Sequence, residues 1–155
     1  MVKELEQAIV MAENGDYKPL SLSDAVERSA AVLNLLRARD VHVIRIGLCA
    51  SENLSSESTY FAGPNHSALG ELVENEFYYG CIKEEINNIQ DLGFVEELTV
   101  SVSRGSLSKA IGQRRSNIIR LSQDYPRIKI HVIEDEMIPA DSLKVIIEKV
   151  KTGCI

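Results

Sequence analysis

The chain has 155 residues, 45% of them hydrophobic and 26% charged, a globular balance with room for one full domain or two small ones. A net charge of −6 argues against indiscriminate affinity for nucleic acid, and no apolar run approaches the ~20 residues that span a bilayer. The first residues lack a basic start followed by an apolar core, so no secretory leader is expected and the chain reads as cytoplasmic.

In chain order, a short helix is expected over about 2–12, stopped by the Asn14-Gly15 turn. The clearest helical period follows at about 23–39. Leu22, Ala25, Val26, Ser29, Val32, Leu33 and Leu36 share one face there. Ser21 with Asp24 three residues later makes a capping box, and Ser23 is a second N-cap candidate. Residues 41–48, VHVIRIGL, form a short β-branched run of the kind buried on both faces of a parallel sheet. A polar loop covers 50–67, long enough to suggest a function of its own. A helical pattern then resumes over about 69–89, with a kink or split expected at Tyr78, Tyr79 and Gly80.

The last third changes rhythm. EELTVSVS alternates strictly, Leu98, Val100 and Val102 against Thr99, Ser101 and Ser103, which predicts a half-buried strand. Two short helices follow, broken over 112–115. RIKIHVI alternates again, and LKVIIEKV gives a further strand after Pro139. The order is β-α-turn-α-β-β.

The three cysteines, Cys49, Cys81 and Cys154, show no CxxC and no histidine at ligand spacing. They read as reduced, mostly buried thiols, not as a disulfide framework or a zinc site. His42, His66 and His131 read as structural or solvated, with His66 the best placed because it follows a strand end in a loop. Ser51, Ser55, Ser56 and Ser58 have no nucleophile elbow and no evident base. Glu71, Glu74 and Glu76 sit where a helix opens, a position its dipole favours for acids. No catalytic residue and no metal ligand is assigned.

Charge is unevenly spread. Residues 101–131 carry seven basic residues and one acid, a local +6 that leaves −12 for the rest. Such asymmetry points to a local polyanion site on an acidic protein. Within it, Ile111-Gly112-Gln113-Arg114-Arg115-Ser116-Asn117-Ile118 lies between two short helices flanked by strands. This segment resembles the core of a KH domain, whose GxxG loop lets the backbone approach single-stranded sugar-phosphates. Gly112 matches the first glycine, and Arg115 stands where the second would be. Arg114 and Arg115 offer direct phosphate pairing instead. The resemblance implies Lys109, Gly112, Gln113, Arg114, Arg115, Asn117 and Arg120 as nucleic-acid-binding residues. The alternative for this turn is two solvated arginines in a KH-shaped module that only packs.

Three stretches carry a wider resemblance: GDYKPLSLSDAVERSAAVLNLL, HVIRIGLCASENL with AGPNHSALGELVENEFYY, and IGQRRSNIIRLSQDYPRIKIHV. In this order they resemble the C-terminal portion of bacterial radical SAM proteins related to the Elongator catalytic subunit. That family holds its iron-sulfur cluster by CxxxCxxC on a preceding (β/α) barrel, and this sequence has no such motif. The resemblance therefore implies that the cluster and S-adenosylmethionine belong to the parent protein only, with no cofactor in this chain. It also implies that the helix at 23–39 and the strand at 43–48 close the barrel, with the 49–70 loop near its mouth. Family members act on, or are proposed to act on, tRNA.

The resulting expectation is an α/β and α+β chain: residues 1–93 as a barrel-closing helix-strand piece, then residues 94–155 as a small KH-like βααββ module. Its function would be to bind or position RNA or tRNA for a radical SAM enzyme. The expected partners are RNA, the parent's barrel and, for the isolated chain, a second copy. One rival is a segment contributing residues of the 49–70 loop to the parent's active site. The other is a structural or protein-interaction module without nucleic acid.

Overall fold

The structure is a computed structural model that describes residues 2–47 and 63–151. It belongs to the α+β class, with helices and one three-stranded sheet. Helix α1 spans Val2–Glu13 and α2 spans Leu22–Arg37. The α2 start is the expected capping box: Ser21 accepts from the Asp24 N–H at 3.1 Å and donates to the Asp24 carboxylate at 2.6 Å. Ala25, Ala30 and Leu33 are buried on its inner face. Val32 and Leu35 remain more than half exposed, so the apolar stripe is wider than this chain covers.

Helix α3, Leu69–Asn87, runs unbroken through Tyr78, Tyr79 and Gly80, where the sequence predicts a kink. It is packed against α2 and also against α4, α5 and β3. Aromatic residues that look disruptive on a one-sided helix therefore find partners on several elements. Tyr78 is fully buried and meets Phe77 edge to face at 5.3 Å. Gly80 faces open space and costs only its weak helix propensity.

After a 3-10 turn at Leu92–Phe94 come β1 (Val95–Val102), α4 (Leu107–Ile111), a second 3-10 turn at Gln113–Arg115, α5 (Ser116–Asp124), β2 (Lys129–Glu134) and β3 (Leu143–Val150). The element order matches the β-α-turn-α-β-β reading. The sheet order is β2-β1-β3, with β1 parallel to β2 and antiparallel to β3. Leu98, Val100 and Val102 point to the helices and are fully buried. Ser101 is buried too, because β1 is the central strand, and Ser103, just past it, is buried at 3.0 Å from Ser106, which also accepts from the Tyr78 hydroxyl.

The strand expected at 41–48 is corrected. Residues 41–45 form no strand, and residue 48 lies outside the described residues. Among the described residues the sheet consists of β1, β2 and β3, and residues 41–45 pair with none of them. Val43 and Ile46 lean on the core while Ile44 is 90% exposed. One core runs from Ala30 and Leu33 through α3 to the inner face of β1. No helix among the described residues is long and apolar enough to cross a membrane.

Candidate nucleic-acid interface

The α4–α5 turn is built around Gly112. Its φ of 78° lies in the region that favours glycine, and a Cβ there would sit 2.5 Å from Ser116 Oγ and 3.0 Å from the Asn117 backbone nitrogen. The absent side chain makes room for the start of α5, and Gly112 itself is buried. Arg114 and Arg115 follow with φ of 52° and 63°. Two consecutive left-handed non-glycine residues are costly for a chain and are held here by the packing around them.

Two buried asparagines supply that hold. The Asn117 amide donates to the backbone carbonyls of Asn75 (2.8 Å), Ala110 (3.2 Å) and Lys109 (3.3 Å). In the orientation its neighbours satisfy, the Asn75 side chain donates to the Glu71 and Lys109 carbonyls and accepts from the Gln113 N–H, each at 3.2 Å. The turn is thus fastened to α3 from below. Arg114 and Arg115 project outward, exposed and without an ion partner among the described residues.

The other basic residues of the segment are differently placed. Arg120 forks onto Glu76 and lies 3.5 Å from the centre of the Tyr79 ring. The Glu76 hydrogen bond holds its guanidinium more firmly protonated than usual. Lys109 stands 3.4 Å from Glu74, and Lys129 stands 3.1 Å from Glu97, which His131 also approaches at 2.8 Å. Those two contacts, His131 first, push the Glu97 carboxyl below its ordinary range. Arg104 is only loosely set against Glu136 at 3.5 Å. Three of the seven basic residues, Lys109, Arg120 and Lys129, are therefore met by acids of α3 and β1, and Arg114, Arg115 and Arg127 are exposed without an ion partner among the described residues.

Of the seven candidate residues, Arg114 and Arg115 present charge to solvent. Gly112 and Asn117 shape the turn from inside, and Lys109 and Arg120 are engaged with α3 glutamates. Gln113 gives its backbone N–H to Asn75. The supporting residues that sequence reading passes over are Asn75, Glu76 and Tyr79. Their only signal is an Asn-Glu and Tyr-Tyr run inside a helix of mixed polar and apolar residues.

A second feature adjoins the turn. A cleft of about 680 Å³ lies between the end of α2, α3 and residues 140–143. At its wall Arg37 makes two 2.9 Å bonds to Glu74, meets Asp141 at 3.0 Å and lies 4.5 Å over the Phe77 ring. The Cys81 thiol in the same wall is pushed up to about 11 by burial. It is a protonated thiol at neutral pH and a poor metal ligand. A cubane cluster needs several converging thiolates. Cys81 is the one cysteine among the described residues, since Cys49 and Cys154 lie outside them. Among the described residues no three His, Cys, Asp or Glu side chains converge as a metal-ligand set.

His66 accepts the Ala68 N–H at 3.1 Å, a local turn contact just before α3. The serines at 51, 55, 56 and 58, with most of the 50–67 loop, lie outside the described residues.

Residues 9–79 match the family model described as Radical_SAM C-terminal domain. The match covers 71 of the 155 residues and makes that stretch similar to the C-terminal domain of radical SAM proteins. It ends inside α3, upstream of the α4–α5 turn. No curated protein and no solved structure matches the chain.

Proposed function

We propose that this chain is the cluster-free C-terminal part of a radical SAM protein of the Elongator catalytic-subunit class, and that it binds or positions RNA, tRNA foremost, for the parent enzyme. The observation that carries the RNA reading is the exposed pair Arg114–Arg115, held in left-handed conformation by a buried asparagine pair and without acidic partners among the described residues. A chain of net charge −6 that keeps two neighbouring guanidinium groups unpaired and rigidly presented has a surface suited to phosphate. In this reading residues 94–151 act as a KH-like module, supported by the β-α-turn-α-β-β order and the glycine-led turn.

The first part would serve as the end of the parent's barrel domain. Val32 is exposed in a groove of about 310 Å³ also lined by Arg28, Ser29, Leu36, Val43 and Ile46, and Leu35 and Ile44 of the same part are exposed as well. Exposed apolar residues and an apolar groove are suited to another folded face. Iron, sulfide and S-adenosylmethionine would be held by the parent's barrel.

The test is a fluorescence-anisotropy titration with tRNA and with an unstructured oligonucleotide over a salt series. Binding should weaken with salt as condensed counterions are released. Replacing Arg114 and Arg115 together by Ala should weaken it and flatten the salt slope by about 1–2 units, at roughly 0.7 per single-strand phosphate contact. Absence of binding at low salt, or binding unchanged in the double variant, ends the RNA reading.

A further inference from the structure

Helix α5 has two unlike faces. Asn117 and Leu121 are buried, and Arg120 and Asp124 turn to α3, where Glu76, Lys83 and Tyr79 engage them. Ile119 stands two residues from each of the buried pair, and so about half a turn from both, on the outer side. It is 53% exposed. Gln123, one turn further on, is exposed, and its amide has no hydrogen-bond partner among the described residues. No acid of α5 stands on this face, since its one carboxylate is that of Asp124.

Cations stand at both ends of the helix. Arg114 and Arg115 precede it, and Arg127 follows it in the turn closed by the Ile128 N–H on the Tyr125 carbonyl at 3.1 Å. All three are exposed, with no ion partner among the described residues. The nine residues between measure about 13 Å at roughly 1.5 Å each. That is the length of about four nucleotides at roughly 3.4 Å of stacked strand. On a chain of net charge −6 this face therefore favours a polyanion laid along the helix. Ile119 and Gln123 add what a plain polyanion does not use, an apolar contact for a base and an amide for a base edge. A single strand is required, because a duplex keeps its base faces in the stack. We infer that the outer face of α5 is a track for single-stranded RNA, with phosphates on Arg114–Arg115 at one end and on Arg127 at the other, and bases against Ile119 and Gln123. This track rests on the RNA reading above and extends it beyond the turn.

Fluorescence anisotropy on the full chain tests it, with labelled single-stranded oligonucleotides of about two to eight residues and circular dichroism to verify that each variant is folded. Affinity should rise with length and level off at about four to six residues, once both ends of the helix are reached. Arg127→Ala should flatten that rise and lower the salt slope by about 0.7 for the longer oligonucleotides, while dinucleotide binding stays unchanged. Lys18→Ala, which removes the same charge from the exposed linker before α2, should change neither. Ile119→Ser should weaken the longer oligonucleotides by roughly threefold to tenfold, apolar contact being weaker than aromatic stacking, and should leave the salt slope as it is. RNA binding that ignores both Arg127→Ala and Ile119→Ser overturns the track and leaves the Arg114–Arg115 site standing. A wild type that binds no RNA removes both. Polyglutamate that binds as tightly as RNA and displaces it overturns the track as well, because the occupant would then be an acidic protein segment.

Discussion

Arg37, in the last turn of α2, and Glu74, in α3, form a two-pronged ion pair at 2.9 Å on both prongs. Each side chain is only about one-sixth exposed, 17% and 16%. Removing one partner of such a pair leaves the other charge poorly solvated. Glu74→Ala should therefore destabilise the chain by about 2 kcal/mol, less than for a fully buried pair because Asp141 still faces Arg37. Urea denaturation measures this. The paired replacement of Arg37 and Glu74 by Met and Leu should cost less than Glu74→Ala alone.

Gly112→Ala should be destabilising by about 1–3 kcal/mol, because it adds a side chain at positive φ against Ser116 Oγ. The cause can be separated. Ser116→Ala removes the 2.5 Å obstacle but leaves the φ of 78° and the Asn117 nitrogen. The double variant should recover part of the loss, and a double-mutant cycle in denaturant reads the recovery. Strict additivity would show that packing against Ser116 is not what the glycine serves.

Asp124 links α5 to α3. It accepts from Lys83 at 2.9 Å and from the Tyr79 hydroxyl, and these bonds, Lys83 first, hold its carboxyl below the ordinary range. A depressed carboxyl pKa contributes stability above its unfolded value and loses it as pH falls through the folded value. Asp124→Asn should thus lower stability at neutral pH and make the acid limb of the stability profile shallower below about pH 4. Chemical denaturation from pH 7 to pH 3 tests the sign. An equal loss at both ends would remove the linkage.

Ile44 is 90% exposed, so Ile44→Ser should change stability by less than about 0.5 kcal/mol. Val100→Ser, in the fully buried centre of β1, should by contrast cost several kcal/mol, on the order of 2–4. Thermal melts of the two variants distinguish an uncovered apolar run from a core strand.

Much of this architecture was legible in the order of residues. The α2 capping box, the alternation of β1 and the break at 112–115 are local signals, set by backbone chemistry within a few residues of where they act. The tertiary structure decided the rest, because its causes are far apart in sequence. Residues 41–48 have the composition of a buried strand, but composition cannot supply a neighbouring strand, and among the described residues the sheet forms without 41–47. Tyr78 and Tyr79 look like an interruption until the packing of α3 against several elements gives them partners. The basic run at 101–131 looks like a single polyanion patch. Glu74, Glu76 and Glu97 reach into it from α3 and β1, and Arg114, Arg115 and Arg127 stay without ion partners among the described residues. Charge is counted along the chain, but its field depends on distance in space, and only the folded arrangement fixes which charges are left for a partner.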